Sequence, residues 1–97
     1  MAIKVFKISA ASATELIDID TGINRINSMT IANIDGSNDT AVDLYLKNAG
    51  GTDYYVCKNL PIPIGQTLVL DSSDITFDNT TYNLYILSTR TVDVIIK

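Results

Sequence analysis

The chain has no histidine, no tryptophan and a single cysteine, Cys57. Transition-metal sites in proteins are built mainly from histidine and cysteine, so the composition excludes a zinc centre. One cysteine cannot form a disulfide within the chain, and its place in an alternating segment favours a small packed residue over a reactive thiolate. Nucleophilic catalysis needs a positioned base, and no serine, threonine or cysteine has one in a recognisable context. We therefore predict a protein that is not an enzyme and that needs no cofactor.

Charge is also sparse. The 97 residues include 7 Lys and Arg and 11 Asp and Glu, which gives a formal net charge of −4. The basic residues are scattered singly, whereas sequence-independent nucleic-acid binding needs them clustered. No apolar run approaches the roughly 18 residues of a membrane-spanning helix, and residues 1–8 alternate instead of forming the apolar core of a signal peptide. We expect no nucleic-acid or membrane partner, and a protein made in a reducing cytoplasm.

Aspartates are concentrated in the segments that interrupt the apolar pattern. None of these segments matches the spacing of an EF-hand loop, which needs a glycine at its sixth position and a closing glutamate. Aspartate also favours turns because its side chain accepts hydrogen bonds from the following backbone. We interpret these residues as turn formers, with structural calcium as the alternative: Asp18, Asp20, Asp35, Asp39, Asp71, Asp74 and Asp78.

Apolar and polar residues alternate with a period of two along nearly the whole chain, which is typical of half-buried strands. No segment keeps the 3.6-residue period of a helix. The pattern predicts one all-β domain over residues 1–97, an antiparallel β-sandwich of about eight short strands with either jelly-roll or immunoglobulin-like connectivity. Pro61 and Pro63 cannot donate to a strand ladder and should lie at a sheet edge or leave the sheet. We expect the strands near residues 3–8, 16–19, 26–34, 41–47, 54–59, 67–70, 82–87 and 92–97.

Five tyrosines fall on the predicted strands or at their ends. Tyr45 and Tyr85 alternate with the aliphatic rows and should lie on the outer face of a sheet, where tyrosine is a common interface residue. Packing between neighbouring strands is the other interpretation. The first strand could also add to the edge of a partner's sheet. The candidate interface residues are therefore Tyr45, Tyr54, Tyr55, Tyr85, Ile3, Val5, Pro61 and Pro63.

A run of motifs between residues 54 and 71 resembles small virion structural proteins of tailed bacteriophages, of the kind found in cyanobacterial and marine phages. Those proteins carry a Tyr-Tyr strand, a Lys-Asn-aliphatic-Pro-Ile-Pro-x-Gly step and a Thr-Leu-Val-Leu strand, which match residues 54–55, 58–65 and 67–70. They end in an alternating strand that matches residues 92–95, and the resemblance spans about residues 26–97. Cys57 and Leu60 depart from the pattern.

The resemblance implies a non-enzymatic β-sandwich that is present in many copies on the virion after assembly in the host cytoplasm. We expect a capsid decoration or cement protein that bridges major capsid subunits and stabilises the shell, with self-association as a further expectation. A neck or tail component is the first alternative. A carbohydrate-binding module for host attachment, with Tyr45 and Tyr85 as stacking residues, is the second.

Overall fold

The computed structural model describes residues 4–97, and within this range every regular element is a β-strand. Ile3 lies outside the described residues. The eight strands form two antiparallel four-stranded sheets, which confirms the predicted all-β sandwich. The strands are β1 (Lys4–Ile8), β2 (Thr14–Ile17), β3 (Ser28–Asn33), β4 (Thr40–Asn48), β5 (Asp53–Ile62), β6 (Thr67–Asp71), β7 (Tyr82–Ser88) and β8 (Val92–Ile96).

The order of the strands distinguishes the two connectivities that the sequence left open. The first sheet, which we call sheet A, has the order β1-β8-β3-β6, and the second, sheet B, has the order β2-β7-β4-β5. The pairs β4·β5, β3·β6, β2·β7 and β1·β8 are nested, as if one long hairpin had been rolled up. This nesting of eight strands in two sheets is the jelly roll.

The core lies between the two sheets and is built from the alternate residues of each strand. In β3, Met29 and Ile31 are fully buried while Thr30 is half-buried, and β4 buries Val42 and Leu44 in the same way. The alternation predicted for β4 is confirmed. The remaining buried apolar side chains come from both sheets and two loops: Ile8, Leu16, Ile17, Ile26, Ile62, Ile75, Phe77, Leu84, Ile86, Val92, Val94 and Ile96.

The second strand begins and ends two residues earlier than the sequence predicts. Its pairing with β7 is shifted between Glu15 and Ile17, so that Leu16 and Ile17 are both buried and the period of two is broken. The backbone N–H of Ile19 then bonds to the carboxylate of Asp18, and Asp20 takes a positive φ of 63°. These local bonds turn the chain out of the sheet before residue 19.

The outer strands of the two sheets differ in regularity. In sheet B, β5 carries Pro61 at its edge, as predicted, and its pairing with β4 is shifted twice between Val42 and Tyr45. Asn59 takes a φ of 55° within β5, and β2 carries the shift already described. In sheet A, β1 and β6 keep an unbroken register with their neighbours. Bulges and prolines discourage the addition of a foreign strand, so only the edges of sheet B carry that protection.

A buried asparagine holds the long loop between β2 and β3 against the loop before β7. The Asn79 side chain is fully buried, and its Oδ1 accepts from the Thr21 N–H (2.7 Å), the Thr21 hydroxyl (2.9 Å) and the Ile23 N–H (3.3 Å). Its Nδ2 donates to the carbonyls of Asp18 (2.9 Å) and Tyr82 (3.1 Å). This side chain thus replaces the regular backbone pairing that the loop lacks.

Candidate interaction surfaces

Three tyrosines form one row on the outer face of sheet B, and we call them the tyrosine cluster. Tyr45 on the central strand β4 lies directly opposite Tyr55 on β5 and Tyr85 on β7. The ring centroids of Tyr45 and Tyr55 are 5.3 Å apart and tilted, and those of Tyr45 and Tyr85 are 5.7 Å apart and nearly parallel. Both distances lie in the range of favourable aromatic pairs. The outer-face position predicted for Tyr45 and Tyr85 is therefore confirmed.

Tyr45 is not, however, an exposed residue. Only 6% of its surface is accessible, because the rings of both neighbouring strands close over it. Burial, followed by the nearby carboxylate of Asp53, raises the pKa of Tyr45 above 10.0. A partner or ligand on this face would meet Tyr55, which is 45% exposed, and Tyr85, which is half-buried.

Two lysines cover the outer tyrosines. The Lys58 Nζ lies 4.2 Å from the ring centroid of Tyr55, and the Lys47 Nζ lies 5.1 Å from that of Tyr85. Such cation–π contacts contribute about 0.5–1 kcal/mol at exposed sites. Each ammonium group also has a carboxylate nearby, at 3.9 Å for Asp43 and Lys58 and at 3.7 Å for Asp53 and Lys47. The cluster is therefore covered by its own lysine side chains.

A polar group completes this face beside β2. A hydrogen bond with the Glu15 carboxylate raises the pKa of Tyr85 above 10.0, and burial adds to that shift. Glu15 also accepts a hydrogen bond of 2.8 Å from the Asn83 Nδ2. Asn83 is about nine-tenths buried, and its Oδ1 has no hydrogen-bond partner among residues 4–97. Sequence analysis did not single out Asn83, since nothing in its position on β7 indicates an unpaired amide oxygen.

The remaining predicted interface residues lie elsewhere. Tyr54 is half exposed and lies opposite Leu46, on the core side of β5, where its ring meets Tyr82 edge-on at 5.9 Å. Pro61 and Pro63 line a shallow groove of about 400 Å³ between the edges of the two sheets. The structure thus brings Tyr45, Tyr55 and Tyr85 together and separates Tyr54, Pro61, Pro63 and Val5 from them.

One residue from each strand of sheet A forms an uncharged row across its outer face. We call this row, which contains three aliphatic residues and one threonine, the apolar row. Val5 lies opposite Ile95, Ile95 opposite Thr30, and Thr30 opposite Val69. Val5 is 70% exposed and Val69 63%. In the next row, Lys7 and Asp93 form an ion pair of 2.7 Å. Sequence analysis selected only Val5 because the register that joins these four strands depends on pairs far apart in the chain.

The loop aspartates accept hydrogen bonds from their own turns. Asp35 accepts from the N–H of Ser37 and Asn38, and Asp78 accepts from the N–H and hydroxyl of Thr80. These bonds lower the pKa of both carboxyls, and bonds from Ser73 lower that of Asp71 in the same way. The turn-forming interpretation is confirmed for these three aspartates.

Two further features bear on chemistry. Cys57 packs against the core, and its burial raises the pKa of the thiol, which confirms the packed interpretation. Residues 4–97 bring together no group of three or more aspartate, glutamate or cysteine side chains that would hold a metal ion. Within the same range, no helix is long and apolar enough to cross a membrane.

The chain matches no protein-family model and no curated protein sequence. Among solved structures, it is similar to a chain in the structure of the Gx strain of infectious bursal disease virus, with 16% identity and a TM-score of 0.36. It is also similar to a chain in the crystal structure of a VP2 subviral particle of that virus, with 15% identity and a TM-score of 0.33. A chain in the structure of the Gt strain has 18% identity and a TM-score of 0.31. These matches cover 97–99% of this chain but only 31–33% of the other proteins. The chain spans about a third of their length, and TM-scores below 0.5 do not establish a shared fold.

Proposed function

We propose that the protein is a non-enzymatic structural component of a virus particle, and specifically a capsid decoration or cement protein of a tailed bacteriophage. The observation that carries this proposal is the apolar row, which places Val5, Ile95 and Val69 on one exposed sheet face. Neighbouring exposed apolar side chains on one sheet face form a surface that suits contact with another protein. The motifs of residues 54–71 and 92–95 and the jelly-roll order of the strands support the same proposal.

The proposed mechanism is a linkage effect. The outer face of sheet A would lie across the joint between neighbouring major capsid subunits, where the apolar row would be buried and the Lys7–Asp93 pair would lie at the rim. A standard interface buries on the order of 1,600 Å² in total, about half of it on each partner. Because the protein would bind the assembled shell and not free subunits, its binding energy would stabilise the shell.

Two measurements test this proposal. Quantitative mass spectrometry of purified particles should give a copy number comparable to that of the major capsid protein. A copy number far below it would place the protein at the neck or tail, and absence from particles would refute a virion role. Ile95→Lys should weaken binding to purified shells by roughly tenfold or more, since a lysine in the centre of an apolar contact must be desolvated.

The matched control is Ile34→Lys, because Ile34 is about as exposed as Ile95 (44% against 39%) but follows β3 in a turn outside the apolar row. Equal binding by both variants would refute the assignment of the docking face. The stability of each variant is measured beforehand by urea unfolding, so that a loss of fold is not mistaken for a loss of binding.

The tyrosine cluster supports a second candidate function, carbohydrate binding for host attachment. Tyr55 and Tyr85 flank a buried ring on one face, and their accessible ring surfaces would stack on a sugar. Lys47 and Lys58 would first have to leave the rings that they cover. Binding of the isolated protein to a glycan array, lost in Tyr55→Ala and retained in Tyr82→Ala, would support this function. No binding to any glycan would refute it.

A further inference from the structure

The edge of sheet A at β6 carries backbone groups that point away from the sheet. The direction follows from the bonds of β3, the neighbouring strand. Ser28 and Lys97 exchange two backbone bonds, of 3.3 and 2.9 Å, between β3 and the end of β8. Bonded pairs alternate along antiparallel strands, so the even-numbered residues of β3 bond to β8 and the odd-numbered residues bond to β6. The bond of 3.1 Å from the Asn33 N–H to the Gln66 carbonyl agrees with this alternation.

It follows that Leu68 and Leu70 direct their backbone groups toward β3, whereas Thr67, Val69 and Asp71 direct theirs outward. Asp71 is already satisfied by its own turn: its N–H donates to the Asp74 carboxylate at 2.9 Å, and its carbonyl accepts from the Asp74 N–H at 3.0 Å. Within residues 4–97, the outward N–H and C=O groups of Thr67 and Val69 have no protein partner.

The β6 edge is also the least protected of the four sheet edges. Sheet B has bulges on β2 and β5 and a proline on β5, and β1 carries Lys4 and Lys7. Strand β6 has an unbroken register, no proline and no lysine, and residues 66–70 are uncharged in a chain of net charge −4. An edge of this kind accepts another strand.

We propose that β6 of one copy pairs antiparallel with β6 of a second copy, so that the two A sheets become one eight-stranded sheet around a two-fold axis. A two-fold contact is self-complementary, and it closes after two copies. Residues 66–70 carry no charge, so two copies of this acidic chain can meet there without repulsion between like charges at the contact. This is why a second copy is a suitable partner for the edge. This inference is independent of the proposed virion role.

The hydrogen-bond pattern selects one register for this pairing. If Leu68 lies opposite its own copy, Thr67 lies opposite Val69 of the second molecule at two symmetric places. The four outward groups of each molecule then pair with those of the other, which gives four backbone hydrogen bonds. If Val69 lay opposite itself instead, only two bonds would form, and Thr67 would face Asp71, whose backbone groups are already occupied.

The side chains fit the same register. Leu68 lines the groove between Pro61, Pro63 and β6, so the two Leu68 side chains would meet at this groove. On the outer face, Val69 would contact Thr67 of the second copy, and the apolar row would continue across both molecules. A contact between two five-residue strands is smaller than a standard interface, so we expect a weak dimer that depends on concentration.

Residue-resolved hydrogen exchange of the full chain, measured by NMR at a low and a high protein concentration, tests the proposal on the unmodified protein. The Thr67 and Val69 amides should exchange more slowly at the high concentration, while the Val5 and Lys7 amides on the opposite edge should not change. Equal exchange of Thr67 and Val69 at both concentrations, with a monomeric mass in sedimentation equilibrium, would overturn the proposal.

Val69→Pro and Val5→Pro form a matched pair of variants. Both prolines would remove an outward N–H from an edge strand of sheet A without removing a bond to the neighbouring strand. Val69→Pro should raise the dissociation constant of the dimer at least about tenfold, because two of the four bonds are lost. Val5→Pro should leave it unchanged. Loss of association in both variants would overturn the two-fold arrangement in favour of β1 pairing with β6, which gives open chains of molecules.

A disulfide cross-link between two copies tests the proposed β6–β6 register directly. On a Cys57→Ser background, Leu68→Cys should form a disulfide between two copies, because a pair centred on Leu68 has the short spacing of a non-bonded pair. Val69→Cys is the matched control and should cross-link more slowly. Faster cross-linking through residue 69 would refute the proposed register, and cross-linking through neither residue would refute the β6 contact.

Discussion

Replacing Asn79 with alanine is expected to destabilise the fold, because this side chain joins two loops that have little regular backbone pairing. The side chain makes five hydrogen bonds, three as acceptor and two as donor, and it is fully buried. A net contribution of about 1 kcal/mol for each bond sums to about 5 kcal/mol. Thr21 is exposed, and water can satisfy its groups after the substitution. We therefore expect a loss of about 3 kcal/mol in the free energy of unfolding.

Urea unfolding followed by circular dichroism measures this loss. With a dependence of about 1.5 kcal/mol per molar urea, the midpoint should fall by about 2 M. Asn24→Ala is the matched control, since the Asn24 Oδ1 accepts only one bond in this network, from the Asn79 N–H at 2.8 Å. It should cost about 1 kcal/mol.

A second variant separates the donor bonds from the acceptor bonds. Asn79→Asp keeps the three acceptor contacts but places a carboxylate against the carbonyls of Asp18 and Tyr82. At neutral pH it should be at least as unstable as Asn79→Ala, because the two donor bonds are replaced by repulsion. A loss for Asn79→Ala no larger than that for Asn24→Ala would refute the reasoning.

Three further predictions concern the backbone, the acid stability and the tyrosines. Asn59→Val should lower the free energy of unfolding by about 1–2 kcal/mol, since φ is 55° there, while Asn59→Gly should cost nothing; equal stability of the two in urea would contradict this. Asp71 and Asp78 have pKa values lowered from 3.8, so the stability they contribute is present above that value and is lost as the pH falls through the lowered pKa. The thermal midpoint should therefore fall between pH 5 and pH 2, and less steeply in Asp78→Asn; an unchanged midpoint would contradict it. In a titration followed by tyrosinate absorbance, Tyr45 and Tyr85 should ionise later than an ordinary tyrosine because their pKa values are raised, and Tyr85→Phe should remove one of these late steps; a curve whose late part is unchanged in Tyr85→Phe would contradict it.

The strands and their faces could be predicted from the sequence because they depend on neighbouring residues. Alternation alone places Val42 and Leu44 inside and Tyr45 outside, and the prolines alone indicate which part of the chain lies at an edge. The error at β2 has a local cause that alternation does not reveal, since a bulge buries Leu16 and Ile17 in succession.

The candidate surfaces were less accessible to sequence reasoning because they depend on register. The burial of Tyr45 requires Tyr55 and Tyr85 to arrive from two other strands at the same height. The apolar row likewise requires β1, β3, β6 and β8 to align, and no short segment contains that information. The role of Asn79 is hidden for the same reason: the four residues that its side chain bonds lie in another loop and at the start of β7.

The nested pairing of the strands also determines the order in which they can pair during synthesis. The β4·β5 pair is joined by a tight turn at Gly51 and can close as soon as both strands leave the ribosome. Of the eight described strands, β1 is synthesised first, but its pairing partner β8 is synthesised last. At about 5–20 residues per second, Val5 and Phe6 wait roughly 5–20 seconds without their partner strand. The first strand is therefore the segment most exposed to chaperones and to misassembly during synthesis.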